Sequence, residues 1–266
     1  MPATTSPLDE LLELAGSGHP PKLGDAILAE DLAKTYPDGT EAVRGISLRV
    51  RRGESFGILG PNGAGKSTTI GMLGTLVKPT GGRARVAGFD VGADPLKVRG
   101  QIGFAMQDVG VDDFATASEL IVLHGRLHGL RKAEATRRAR LLLRATGLVP
   151  VANQRVATLS GGTKRRVDLA VSLVHLPSVV FLDEPTEGLD PRSRTAIWEL
   201  LDTLRRRLGV TLLLSTHHMD EGEALSDRIG IIDHGELVVE GSPTELKSAA
   251  APTLEDVYLH HTGVAA

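Results

Sequence analysis

A glycine-rich loop near residue 60 constrains the fold more than any other part of this sequence. It fits the pattern of a Gly, four residues and Gly-Lys-Ser, and it consists of Gly60, Pro61, Asn62, Gly63, Ala64, Gly65, Lys66, Ser67 and Thr68. Residues 55–59 are apolar enough for a buried strand, and residues 69–73 begin like a helix. Because a phosphate-binding loop needs a strand, a tight turn and a helix N-terminus in this order, the sequence predicts a phosphate site here.

The chemistry of this loop follows from its residue types. Glycines let the backbone turn its N–H groups toward phosphate oxygens, and the following helix directs the positive end of its dipole at the same anion. Lys66 would reach the β- and γ-phosphates, and the Ser67 hydroxyl would ligate Mg²⁺. The alternative is a glycine-rich turn that binds nothing, which the flanking strand and helix disfavour.

Length, charge and composition exclude several classes of protein. The chain has 266 residues, which suits one large domain or one domain with an inserted lobe. A net charge of −3 and an aromatic content of 3% predict no nucleic-acid partner. The absence of cysteine excludes disulfides, cysteine-ligated zinc and thiol catalysis, and it fits a reducing cytosol. Acidic residues near the N-terminus and the lack of a long apolar run predict neither a signal peptide nor a membrane span, so we expect a chain that is soluble by itself.

Residues 1–25 are expected to form a separate N-terminal extension that is flexible. Four leucines (Leu8, Leu11, Leu12 and Leu14) could form one short amphipathic helix before a linker at residues 17–21. A loosely ordered tail is the favoured interpretation, and a helix that docks on a partner is the alternative.

The rest of the chain alternates between strands and helices. Residues 26–51 have the alternating pattern of antiparallel strands, and 83–88 is another short strand. Residues 179–182 and 210–215 are apolar enough for buried parallel strands, and 194–207 between them is helical. We therefore expect an α/β fold.

Residues 117–147 differ from their surroundings in their helical spacing. Leu120, Leu123, Leu127 and Leu130 follow one another at three, four and three residues. Arginines occupy the other faces, and Gly147 is expected to end the segment. This pattern predicts a helical lobe inserted between strands of the main sheet.

Two adjacent carboxylates, Asp183 and Glu184, follow the apolar strand 179–182. Open α/β sheets place ligands at this edge. The first carboxylate could hold Mg²⁺, and the second could orient and deprotonate an attacking water. The alternative is a helix-capping Asp-Glu-Pro turn without a catalytic role.

Two further segments suit a phosphate site. His217 follows the strand at 210–215, where its imidazole could bond to a γ-phosphate, although a histidine at a strand end is more often structural. Residues 159–162 (Leu-Ser-Gly-Gly) begin a helix, and this step could bind a second anion or simply cap the helix.

Taken together, these motifs resemble those of the ATP-binding subunit of ATP-binding-cassette (ABC) transporters, over residues 26–242. The motifs are residues 60–68, Gln107, residues 159–162, residues 181–185 (Phe-Leu-Asp-Glu-Pro), residues 188–191 (Gly-Leu-Asp-Pro) and His217. The resemblance implies a P-loop NTPase core with a mostly parallel sheet, an N-terminal antiparallel β subdomain and an inserted α-helical subdomain at about 108–175. The ATP-binding domain would span 26–245, followed by a short C-terminal tail, 246–266.

The resemblance also assigns roles within one nucleotide site. Tyr36 matches the aromatic residue that stacks on adenine. Gln107 matches the glutamine that contacts Mg²⁺ and the attacking water and couples the site to the membrane partner. Glu184 is the expected catalytic base, His217 the switch that senses the γ-phosphate, and Asp183 a Mg²⁺ ligand.

Other residues would act on the nucleotide of a second subunit. Ser160, Gly161 and Gly162 match the signature that clamps the γ-phosphate of ATP held by the opposite subunit, and Asp190 matches the loop that links the two sites. The fifth signature position, usually Gln, is Thr163 here. Because the phosphate contacts belong to the serine and the glycines, we expect this difference to tune turnover rather than abolish it.

The expected assembly is a homodimer with two equivalent sites, bound to a separate integral membrane permease at the cytoplasmic face of the cell membrane. Residues 80–82, 88–91, 98–103, 126–130 and 254–263 resemble the daunorubicin-resistance type of drug-exporter ATPase. Two alternatives stay open. One is an importer ATPase, and the less favoured one is a soluble ABC ATPase that acts on ribosomes or DNA.

Overall fold

The computed structural model describes residues 6–15, 24–105, 112–248 and 251–262. The strands in these residues are β1 (Asp25–Thr35), β2 (Glu41–Arg51), β3 (Ser55–Leu59), β4 (Gly81–Val86), β5 (Phe89–Asp90), β6 (Ile102–Ala105), β7 (Val179–Asp183), β8 (Thr211–Thr216), β9 (Arg228–Asp233) and β10 (Glu236–Gly241). The α-helices are α1 (Pro7–Ala15), α2 (Lys66–Leu73), α3 (Pro95–Arg99), α4 (Ala117–Leu127), α5 (Lys132–Ala145), α6 (Gly161–Leu173), α7 (Pro191–Leu208), α8 (Met219–Leu225), α9 (Pro243–Leu246) and α10 (Leu254–Thr262).

The main sheet has the strand order β10-β9-β3-β8-β7-β6. All neighbouring pairs from β9 to β6 are parallel, and only β10 at the edge is antiparallel to its neighbour. Every residue of β3, β7 and β8 is buried, as continuous apolar runs predict for parallel strands covered on both faces. The carboxyl ends of β3, β8 and β7 therefore meet at one edge, where ligands bind in such sheets.

A second sheet of four strands, β2-β1-β4-β5, is antiparallel throughout. The alternating burial along β2 reflects one face turned to the interior and one to solvent. Its buried face packs on α2 and on one face of the main sheet in a single hydrophobic core. This core includes Phe56 of β3, Ile70 of α2 and Phe181 of β7. The expected antiparallel subdomain is therefore present, and it lies against the glycine-rich loop.

The helices between β6 and β7 form the inserted lobe. The segment 117–147 consists of two helices, because the chain leaves the helical conformation after Leu127 and re-enters it at Lys132. Gly147 follows the second helix with φ 69°, as a C-terminal glycine does. Of the predicted leucine stripe, only Leu120 is fully buried, whereas Leu127 is 72% exposed.

The N-terminal segment packs against this lobe over residues 7–15. In α1, the side chains of Leu8 and Leu11 are buried in the core formed by the helical lobe and α7. Ion pairs from Glu10 to Arg144 and from Asp9 to Arg207 lie at the rim of this contact. This packed helix differs from the flexible extension expected for residues 1–25, because two leucines on one helix face find an apolar surface within the same chain. Among the residues that the structure describes, no helix is long and apolar enough to cross a membrane.

Candidate nucleotide site

The glycine-rich loop runs from the end of β3 into α2 and folds as a tight turn. Gly60 has φ 154° and Gly65 has φ 105°, and a Cβ at either position would collide with a backbone carbonyl oxygen, that of Ile232 or of Ala42. Only glycine therefore fits these two positions. The loop borders a cavity of about 290 Å³, which is lined by Ala42, Asn62, Gly63, Gly65, Lys66, Ser67, Thr68 and Glu184.

Lys66 is the first residue of α2, and its side chain folds back over the loop. Its Nζ donates hydrogen bonds to the carbonyl oxygens of Gly60, at 2.9 Å, and Pro61, at 3.1 Å. It also lies 3.6 Å from Glu184 Oε1. Burial lowers the pKa of Lys66, although the nearby Glu184 carboxylate opposes this shift. The amine is thus held where a phosphate chain on the loop would meet it.

Asp183, the last residue of β7, lies beside Ser67, the other side chain expected to hold Mg²⁺. Ser67 Oγ donates to Asp183 Oδ1 at 3.0 Å. Ser215, opposite Asp183 in the parallel register of β7 and β8, donates to the same oxygen. A carboxylate and a hydroxyl supply the hard oxygen ligands that Mg²⁺ prefers. These donors fit the ion. The contact of Ser215 could not be foreseen from the sequence, because it depends on the pairing of β7 with β8.

Glu184 follows β7 in a conformation that is uncommon for a residue with a side chain. Its φ is 48°, in the left-handed region, and such outliers cluster at functional sites. Its backbone N–H is anchored on Ser215 O at 3.0 Å. The side chain is 8% exposed and lies between Lys66 and His217, with Oε2 3.2 Å from His217 Nδ1. The carboxylate of Glu184 is thus within contact distance of two basic side chains.

His217 reaches this edge because β8 lies between β3 and β7. Its Nε2 is 3.4 Å from Glu187 Oε2, and His218 Nε2 is 3.0 Å from the same oxygen. Glu187 was not singled out from the sequence. A pattern analysis could not find this trio, because Glu187 is separated by thirty residues of chain from the two histidines and joins them only in the folded sheet.

Tyr36 lies beside the glycine-rich loop, one residue after β1. Its hydroxyl is 3.5 Å from Thr68 Oγ1, and Lys34 Nζ lies 5.0 Å from the centre of its ring. The tyrosine is half-buried, so one side of the ring could receive a planar base. Gln107 lies outside the described residues, and its predicted contacts with Mg²⁺ and water stay a prediction.

The Ser-Gly-Gly step begins α6, with Ser160 as the capping residue. Ser160 Oγ accepts a hydrogen bond from the N–H of Thr163 and lies 2.8 Å from the hydroxyl of Thr163. Ser160 and Gly161 are exposed. None of these residues lines the cavity at the glycine-rich loop. The signature therefore forms a second, outward-facing helix N-terminus.

Asp190 caps α7 in the same manner. Its Oδ1 accepts from the N–H groups of Arg192 and Ser193 at 3.1 Å each, and hydrogen bonds from Ser193 lower the pKa of Asp190. The start of α7 touches the signature, because a Cβ added to Gly162 would lie 3.0 Å from Ser193 Oγ. The structure thus brings Asp190 and Ser160 to neighbouring helix ends.

Arg165 connects the signature helix to the edge of the sheet, and sequence reasoning missed it. Its guanidinium donates to the carbonyl oxygens of Pro185 at 2.8 Å and Asp183 at 3.1 Å. It also pairs with Asp168 at 3.2 Å. Burial raises the pKa of Asp168 to about 6, against the opposing effect of Arg165. The signal available in the sequence was weak, because Arg165 and Asp168 are three residues apart in a helix that also carries Lys164 and Arg166.

The comparisons with known proteins agree with this geometry. Residues 43–187 match the family model described as ABC transporter. The chain is 47% identical over 233 residues to the doxorubicin resistance ATP-binding protein DrrA of Mycobacterium tuberculosis, covering 87% of this chain and 70% of that protein. It is 42% identical over 220 residues to the linearmycin resistance ATP-binding protein LnrL of Bacillus subtilis, covering 83% and 70%.

Solved structures show the same fold. One is cbiO1 from Clostridium perfringens, part of an ABC transporter complex, with a TM-score of 0.77 and 32% identity over 84% of this chain and 91% of that one. Another is the ATP-binding cassette MJ0796, a dimer bound to ADP and Pi, with a TM-score of 0.75 and 29% identity over 81% and 98%. The chain belongs to the ABC transporter family, and within that family it is an ATP-binding subunit with ATPase activity.

Proposed function

We propose that this chain binds and hydrolyses ATP to power the export of a small molecule of the drug or antibiotic type. The observation that supports it best is the convergence of Lys66, Asp183, Glu184 and His217 at the end of the glycine-rich loop. The relatives named above are drug-resistance proteins, which favours export over import. A permease found together with an extracytoplasmic binding protein would instead favour the importer.

Each residue has a distinct task in the proposed reaction. The loop N–H groups and Lys66 bind the phosphates, and Tyr36 stacks on the adenine. Mg²⁺, held by Ser67 and Asp183, would neutralise charge on the β- and γ-phosphates. Glu184 takes a proton from water, whose oxygen attacks the γ-phosphorus while the bond to ADP breaks. His217 bonds to the γ-phosphate and reports whether it is present.

The reaction requires two chains, because the signature faces outward. Ser160 and Gly162 of one copy would close on the γ-phosphate bound to the loop of another, and Asp190 would link the two sites. ATP therefore favours the dimer, and loss of phosphate reverses this preference. The proposed assembly is a homodimer attached to a membrane permease at the cytoplasmic face of the membrane.

The test compares the wild-type chain with Glu184→Gln and with Glu199→Gln, an exposed glutamate on α7, as the control. We expect Mg²⁺-dependent ATPase activity in the wild type and the control, and a loss of at least about 100-fold in Glu184→Gln because the general base is gone. Size analysis in ATP should find Glu184→Gln as a dimer. Wild-type turnover in that variant would contradict the role of the base, and turnover by a monomer would contradict the two-chain site.

A further inference from the structure

A carboxylate and two imidazoles converge just outside the cavity of the glycine-rich loop. Glu187 Oε2 lies 3.4 Å from His217 Nε2 and 3.0 Å from His218 Nε2. One ligand atom from each of the three residues lies within 4.8 Å of the other two. Glu187 is exposed and the two histidines are half-buried, so all three can be reached from solvent.

The distances suit a tetrahedral metal ion. Zinc bonds to nitrogen and oxygen are about 2.0–2.1 Å long, so neighbouring ligand atoms in a tetrahedron are about 3.3 Å apart. The two measured distances from Glu187 Oε2 bracket this value. The rings of His217 and His218 are 4.1 Å apart between centroids, and the ligand atoms of the two side chains lie within 4.8 Å of each other. Three protein ligands leave the fourth position open for water.

The other nitrogen of His217 supports the same conclusion. Imidazoles that bind a metal through one nitrogen nearly always direct the other N–H at a carboxylate or carbonyl. Here Nδ1 of His217 is buried and lies 3.2 Å from Glu184 Oε2, without a hydrogen-bond partner in this structure. The Glu184 carboxylate is therefore within reach to accept this N–H once the ring turns, and a metal on Nε2 would fix that ring orientation.

A second cavity gives an ion access to the two histidines. It has a volume of about 630 Å³ and includes His217 and His218 in its lining, together with Glu255 and Tyr258 from α10. The ligand atoms of Glu187, His217 and His218 also differ in kind from those of the expected Mg²⁺ site. Two imidazoles and one carboxylate favour zinc, copper or nickel, whereas Ser67 and Asp183 offer only oxygen.

We propose that Glu187, His217 and His218 form a binding site for a divalent transition-metal ion of the zinc type, and that its occupation inhibits ATP hydrolysis. The ion would hold the ring of His217 on Glu187 and away from the γ-phosphate. The inhibition rests on the proposed function, whereas metal binding does not depend on it.

The first experiment titrates the nucleotide-free full chain with ZnCl₂ by calorimetry. We expect one Zn²⁺ per chain, and affinity at least about tenfold weaker in His218→Ala and in Glu187→Gln, because each removes one of three ligands. His234→Ala is the control, since this histidine is 87% exposed on the turn between β9 and β10. Circular dichroism establishes that each variant is folded. Absence of binding, or equal binding by wild type and both ligand variants, would overturn the site.

The second experiment measures ATPase activity with Zn²⁺ added to excess Mg²⁺. Wild type should lose activity at the Zn²⁺ concentrations that fill the site, while His218→Ala should resist at least about tenfold more Zn²⁺. Equal inhibition of the two proteins would refute the inhibitory role. A wild type that hydrolyses no ATP would contradict the proposed function, and the calorimetric titration would still decide whether the metal site exists.

Discussion

Two helix N-termini in this protein suit the same ligand but are surrounded differently. The glycine-rich loop leads into α2 among buried side chains. The side chain of Lys66 is 4% exposed and that of Glu184 is 8% exposed. The signature begins α6 at the surface, and the side chain of Ser160 bonds to Thr163 within the first turn of that helix. Both ends carry the positive pole of a helix dipole. The first is surrounded by charged side chains of its own chain, whereas the second is exposed, as the proposed contact with the nucleotide of another chain requires.

The two regions are nevertheless connected by α6, which begins at one and contacts the other. This helix starts at the signature and ends just before His175. One turn into the helix, Arg165 donates hydrogen bonds to the carbonyl oxygens of Asp183 and Pro185, at the end of β7. A displacement of the signature would therefore reach Asp183 through a rigid helix. We infer that a movement of the signature can be transmitted through Arg165 to Asp183.

The largest expected effects come from one substitution in each helix N-terminus, one that weakens nucleotide binding and one that weakens dimer formation. In the Glu184→Gln background, Lys66→Ala should weaken ATP binding about 100-fold, because a charge-assisted contact with phosphate is lost. Ser160→Arg should leave ATP binding by the single chain unchanged and weaken the ATP-dependent dimer at least about tenfold. Fluorescent-nucleotide titration measures the first quantity, and sedimentation in ATP measures the second.

A matched control for that comparison is Ser242→Arg, in the same background. Ser242 caps α9 with the same contact from side chain to N3 backbone that Ser160 makes at α6. The control should form the dimer normally. If Ser160→Arg dimerises as well as Ser242→Arg does, the outward-facing signature has no role between chains.

The next effect concerns the link between the two regions. Arg165→Met should lower the free energy of unfolding by about 3–5 kcal/mol, because it leaves Asp168 buried without its charged partner. Arg166→Met is the control on the same helix, and because this side chain is only partly buried, it should cost about 1 kcal/mol or less. Urea unfolding followed by circular dichroism measures both. Equal losses in the two variants would argue against Arg165 as the anchor.

The smallest expected effect lies at the far end of α6. Burial lowers the pKa of His175 to about 4, so between about pH 6.5 and pH 4 the unfolded chain binds more protons than the folded one. The stability contributed by the neutral ring is present at pH 7.5 and is lost as the pH falls through this window. At pH 5.5 the loss is about 1 kcal/mol.

The measurement is urea unfolding at pH 7.5 and pH 5.5 for the wild type and for His175→Gln. Glutamine can keep the hydrogen bond to the carbonyl of Ile102 that His175 Nε2 makes at 2.9 Å, but it does not titrate. The variant should lose about 1 kcal/mol less than the wild type on acidification. His234→Gln, at an exposed position, should behave as wild type does, and identical pH dependence in all three would contradict the buried neutral ring.

Sequence alone was sufficient wherever a short stretch of chain encodes its own geometry. The glycines of the loop, the apolar strand before Asp183 and the Ser-Gly-Gly step each predict a local conformation, and the structure contains all three. The helical lobe was recognised from leucine spacing, but its division into α4 and α5 was not. Leu130 keeps the three-four-three spacing of the leucines although it lies in the turn between the two helices. The spacing therefore could not locate the break at residues 128–131.

Tertiary structure alone decided which distant residues meet. The order β3-β8-β7 places Ser215 on Asp183, and no residue spacing within either strand specifies that order. The family resemblance had already placed Glu184 and His217 in one site, and the strand order sets their 3.2 Å contact. The same holds for Arg165 on the carbonyls of β7 and for Glu187 with its two histidines. Local patterns are set by the backbone periods of helix and strand, whereas contacts between elements depend on how all the apolar faces pack at once.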